Sequence, residues 1–111
     1  MVVLDSLQSR QRYVELFERY GVLLTDHQRA VLELYLRNDW SLSEIARSQE
    51  TSRAAVHDLI RRSCNGLEEY ENRLGLLAAE ERRRSERAAM AAELAGIRRR
   101  LTRLEQEVGR T

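Results

Sequence analysis

The 111-residue sequence predicts an all-α protein: a helix-turn-helix bundle finished by a C-terminal coiled-coil helix. Three observations predict it. Proline is absent and glycine occurs only five times. Strands would have little to punctuate them, while helices are spared the residues their interiors tolerate least. Apolar residues recur at steps of three and four through most of the chain, the period of a helix face. Capping signals then divide the chain into segments, among them a short helix, a three-residue turn and a second helix.

The first helix is expected from about Asp5 or Ser6 to Tyr20. Tyr13, Leu16, Phe17 and Tyr20 form one apolar stripe, and Gly21 reads as its C-terminal cap. Thr25-Asp26-His27-Gln28 is a capping box that opens a second helix, with Val31, Leu32 and Tyr35 inward and an end at Asn38-Asp39. Ser41-Leu42-Ser43-Glu44 is another, and Trp40 before it is placed to pack on Ile45 as a hydrophobic staple. The third helix should run from about Leu42 to Gln49, after which Ser52 caps the fourth.

Along that fourth helix Val56, Ile60, Ser63, Leu67, Tyr70, Leu74 and Leu77 alternate steps of four and three. Asn65-Gly66 and Gly75 weaken it, with Gly66 the expected place for a bend or break. Residues 80–87 have helical propensity without an apolar face and read as an exposed connector. In residues 88–111 the pattern returns through Met90, Leu94, Ile97, Leu101, Leu104 and Val108. With Leu94, Leu101 and Val108 at heptad position a, the flanking pairs Glu93–Arg98 and Arg100–Glu105 attract in a parallel two-stranded coil. A homodimer through this seam is expected. Antiparallel pairing of the same charges also works, and a tail folded back on the fourth helix would use the same stripe. The chain thus divides into a helix-turn-helix domain (1–79), a connector (80–87) and a coiled-coil tail (88–111).

Charge and composition exclude several classes. All 19 basic residues are Arg. Residues 1–79 carry 10 Arg against 12 Asp and Glu, net −2, and residues 80–111 carry 9 Arg against 6 Glu, net +3. The domain therefore lacks the general basic field of a strong DNA binder. A single cysteine, Cys64, rules out an internal disulfide and is expected to be buried. Met1-Val2-Val3-Leu4-Asp5 does not resemble a signal peptide, and no apolar run has membrane-spanning length, so a cytoplasmic protein without membrane insertion is expected. His27 and His57 lack second ligands at useful spacing, and no triad, phosphate loop or carboxylate pair appears. The expectation is a protein without cofactor, metal or catalytic residues, not an enzyme.

The functional constellation lies on helices three and four. Ala46 suits a close helix crossing, with Ile45, Val56 and Leu59 supplying apolar contacts. Arg53, Ala54, His57, Asp58 and Arg61 then project from the exposed side of helix four, the face that enters a major groove in a helix-turn-helix. Ser52 could offer its hydroxyl and nearby amides to a phosphate, Arg53 could contact guanine, and Arg61 or Arg62 could contact phosphate. Glu44, Glu50 and Asp58 nearby repel phosphate, so binding should be weak and salt-sensitive.

Leu23-Leu24-Thr25-Asp26-His27-Gln28, Leu34-Tyr35, Trp40-Ser41-Leu42-Ser43-Glu44-Ile45-Ala46, Ser52-Arg53-Ala54-Ala55-Val56-His57-Asp58, Arg62 and Leu67-Glu68-Glu69-Tyr70-Glu71 together resemble the YlxM family over residues 8–79. These are small bacterial helix-turn-helix proteins similar to region 4 of sigma factors, within the winged-helix-like superfamily. The resemblance implies a regulatory accessory of the signal recognition particle pathway, with the particle's protein or its RNA–protein assembly as partner. The association rests, for that family, on neighbouring genes. A dimeric DNA-binding transcription regulator and a coiled-coil adaptor are the competing readings. Glu50 departs from the glycine usual at its turn position, where a left-handed Glu costs about 1 kcal/mol.

Overall fold

The computed structural model describes residues 7–110, and every regular element among them is helical. α1 (Leu7–Tyr20) is followed by a 3-10 turn (Gly21–Leu23). α2 (Asp26–Leu32) runs into a π-helical turn (Glu33–Arg37), then come α3 (Leu42–Ser48), α4 (Arg53–Leu74) and α5 (Leu76–Gly109). The expected start of the first helix at Asp5 or Ser6 lies outside the described residues. The chain divides into two units between Leu77 and Ala78.

In the first unit the apolar stripes meet in one core. α1 buries Tyr13, Leu16, Phe17 and Tyr20, the stripe read from the sequence. Leu32, Ile45, Cys64 and Leu67 join Leu16 at zero exposure, with Val31, Val56 and Ile60 beside them. Each such aliphatic side chain contributes roughly 1.5–3 kcal/mol by leaving water. Trp40, half-buried, packs against this core next to the α3 cap, as a staple does. Both capping boxes form. The Gln28 amide donates to Thr25 Oγ1 at 3.1 Å and the Glu44 amide to Ser41 Oγ at 3.1 Å, with both side chains reaching back.

Four local expectations are corrected. Gly21 is not a left-handed cap. It opens the 3-10 turn, and a Cβ there would sit 3.1 Å from the Phe17 ring, which would have to shift to admit a side chain. The second helix does not continue as a regular α-helix to Asn38. The Asn38 amide reaches the Glu33 carbonyl at 3.2 Å, five residues back, and the wider π turn moves the inward position from Tyr35, half-buried, to Leu36, 5% exposed. Arg10 holds this turn by donating to the Tyr35 carbonyl and to the carboxylate of the left-handed Asp39 (2.7 Å).

α4 passes through Asn65-Gly66 without a break and ends instead at Gly75, whose φ of 63° forms the left-handed cap. Leu74, placed on the apolar seam by its spacing, is exposed because the helix stops there, and Leu77 of α5 is buried instead.

Two polar ties brace the unit. Arg12 grips Glu68 with two hydrogen bonds of 2.8 Å, joining α1 to α4. The Tyr20 hydroxyl donates to Glu71 Oε1 at 2.6 Å and accepts the Leu76 amide at 3.0 Å, while the Leu77 amide donates to the same carboxylate oxygen. The first amides of α5, which have no partner within their own helix, are thereby satisfied.

The second unit consists of the remainder of α5. Residues 81–94 are all exposed, and so are Ile97, Leu101, Leu104 and Val108. Among the described residues no helix is long and apolar enough to cross a membrane.

Candidate nucleic-acid interface

The interface is built from the turn between α3 and α4. α3 ends in a Schellman arrangement: the Thr51 amide donates to the Ala46 carbonyl at 2.9 Å and the Glu50 amide to the Arg47 carbonyl at 3.3 Å. Such a turn needs a left-handed residue, and Glu50 supplies it with φ 54°. The turn keeps the geometry usually given to glycine and carries the strain that the sequence led us to expect. Ile45 and Ala46 on α3 and Val56 and Ile60 on α4 are buried, which fixes how the two helices cross.

That packing decides which side of α4 faces water. Ser52 caps the helix by accepting the Ala55 amide at 3.0 Å, so its hydroxyl proton remains available to an outside acceptor. Arg53, Ala54, Arg61 and Arg62 are exposed, and His57 is half-buried rather than fully exposed. Spacing of four places Arg53, His57 and Arg61 on one line along the helix. Arg62 lies to its side, in a groove of about 240 Å³ that it shares with His27 and with Val31, Val56 and Leu59. The structure thus gathers Ser52, Arg53, Ala54, His57 and Arg61 on one face and turns Arg62 toward α2. His27, treated as isolated in the sequence, is the side chain that joins it there.

The arginines are not equivalent. Asp58 accepts from Arg61 at 2.6 Å and from Arg62 at 2.9 Å. The hydrogen bond from Arg61, helped by the nearby Arg62 charge, holds the Asp58 carboxyl below its usual range. A phosphate approaching these two guanidiniums has to compete with a carboxylate that stays ionised. Arg53 has no ion-pair or hydrogen-bond partner among the described residues and is the one cation of the set presented without a counter-charge. The Glu44 carboxyl is also held low, chiefly by the Ser41 amide, so it adds a lasting negative charge at the start of α3. The i,i+3 and i,i+4 spacing of Asp58 to Arg61 and Arg62 was a readable signal of this pairing, which sequence reasoning treated only as repulsion.

Cys64 is fully buried, and that burial pushes its thiol up to about 12, so it stays protonated at neutral pH. Among the described residues no three His, Cys, Asp or Glu side chains cluster as a metal site would need.

Comparison with known proteins agrees with this architecture. A model of the UPF0122 family, described as "helix-turn-helix protein, YlxM / p13 like", matches residues 7–107. A UPF0122 protein of Symbiobacterium thermophilum is 44% identical over 102 residues, covering 87% of this chain and 95% of that one. One of Geobacillus kaustophilus is 43% identical over 109 residues, covering 89% and 99%. A third, of Lacticaseibacillus casei, is 51% identical over 72 residues, covering 65% and 64%. Matched from α1 almost to the end of α5, the chain belongs to the UPF0122 family of YlxM-like helix-turn-helix proteins.

Proposed function

We propose that this chain is a non-enzymatic regulatory accessory of the signal recognition particle pathway, and that it meets its nucleic-acid or ribonucleoprotein target through the exposed face of α4. The observation that carries the contact is Arg53: exposed, in the first turn of α4, beside the Ser52 hydroxyl and without a counter-charge among the described residues. The choice of pathway is supported by the YlxM resemblance. The test is recovery from lysate with the tagged full chain. The targeting GTPase or its RNA–protein particle should co-purify, and Arg53→Ala should lower the yield several-fold. Recovery of neither would remove the proposal.

A second reading, a DNA-binding transcription regulator, is favoured by the helix-turn-helix geometry itself. Binding would then be weak, because Asp58 competes for Arg61 and Arg62 and few phosphates would be neutralised. Gel shifts on random duplexes at two salt concentrations separate the readings. A salt-sensitive shift lost in Arg53→Ala supports duplex DNA, and no shift at low salt excludes it.

A further inference from the structure

The C-terminal part of α5 leaves an apolar stripe in water that its own unit cannot cover. Met90, Leu94, Ile97, Leu101, Leu104 and Val108 are between 42% and 73% exposed, on a helix that runs unbroken to Gly109. Six large apolar side chains in one line form an interaction surface rather than scattered surface residues. The charges beside the stripe identify the occupant.

We propose that this stripe pairs with the same stripe of a second copy of the chain, as a parallel, in-register two-stranded coil. In that arrangement each of the six residues meets its own counterpart, giving six apolar layers. Glu93 then faces Arg98 of the other copy and Arg100 faces Glu105, and symmetry makes each pair twice.

The alternatives match less well. An antiparallel coil centred on the stripe also keeps all six layers, with Leu101 against Ile97 and Val108 against Met90. It sets Arg98 against Arg98, Arg100 against Arg100 and Glu93 against Glu107, all repulsive. Sliding that antiparallel pair by one heptad brings Arg98 to Glu105 and Arg100 to Glu107. Only Ile97, Leu101, Leu104 and Val108 then stay covered, so Met90 and Leu94 lose their partners. The parallel register alone combines full apolar cover with attraction at the edges. About three heptads make a modest interface, so the dimer should dissociate on dilution.

Orientation and register are tested together on the full chain. Light scattering should give a mass that rises from the monomer's to the dimer's as the concentration is raised to about 100 µM. Leu101→Asp, at an exposed site, should keep its helical circular dichroism and weaken association about a hundredfold. Leu104→Cys should form a disulfide between like positions on mild oxidation, as only an in-register parallel coil allows. Glu93→Arg and Arg98→Glu should each weaken association about fivefold, and the double exchange should restore it. A monomer throughout, a larger assembly, no cross-link in Leu104→Cys, or no restoration in the double exchange would each overturn the proposal.

Discussion

α4 and the C-terminal half of α5 carry nearly the same apolar rhythm in sequence and use it in opposite ways. The α4 stripe lies under α1, α2 and α3, and Val56, Ile60, Cys64 and Leu67 are buried. The α5 stripe from Met90 to Val108 is exposed along its whole length. Hydrophobic period therefore says that a helix has a face to cover, not what covers it. The difference lies in the neighbours. Capped turns bring short helices back onto α4, whereas the described residues from Ala78 to Gly109 belong to one uninterrupted helix.

The largest expected effect breaks this comparison directly. Leu67→Ala empties a fully buried site and should cost about 3 kcal/mol of unfolding free energy in urea titration. Leu101→Ala should leave the stability of the first unit unchanged within about 0.5 kcal/mol. Equal losses would mean that both stripes belong to one cooperative core.

A smaller effect lies in the brace between α1 and α4. The Arg12 hydrogen bonds hold the Glu68 carboxyl below its ordinary 4.5. A carboxyl depressed in the folded state contributes fully above its ordinary value, and the contribution fades as pH falls through the lower folded-state value. Arg12 and Glu68 are both partly exposed, so solvent screening limits the pair to about 1 kcal/mol. Glu68→Gln should therefore lower the urea midpoint at pH 7, and the difference should shrink steadily as the pH is taken below the ordinary carboxyl range. A deficit that persists in acid would assign the loss to packing rather than charge.

Ser52→Ala removes the cap of α4 and should cost about 1 kcal/mol. It also weakens nucleic-acid binding if the serine hydroxyl meets phosphate, so thermal melting and gel shift together separate the two roles. Smallest of all, Glu50→Gly relieves the left-handed strain of the turn, offset in part by glycine's greater unfolded-state freedom. A gain of roughly 0.5 kcal/mol is expected in denaturant titration. A loss would show that the Glu50 side chain stabilises the turn in another way.

What was legible in the sequence was local. Thr25 with Gln28, Ser41 with Glu44, and Ser52 announce helix starts because donor and acceptor lie within three residues of each other. The α1 stripe and the order short helix, turn, longer helix were readable for the same reason. The candidate face followed only in part: burying Val56 and Ile60 leaves Arg61 to one side of α4, while Arg53, nearly in line with Ile60, is exposed because it begins the helix.

Tertiary structure decided the rest. Gly21 and Gly75 look alike in sequence, yet one lies against the Phe17 ring and the other forms a left-handed turn. The π turn at Glu33–Arg37 is held by Arg10, whose hydrogen bond to Tyr35 spans 25 positions. The amino-acid sequence alone determined where helices begin and which faces are apolar, because those depend on contacts within a turn or two. Where the π turn forms and which of its residues points inward depend on Arg10, brought in from 25 positions away, and only the folded chain supplies that contact.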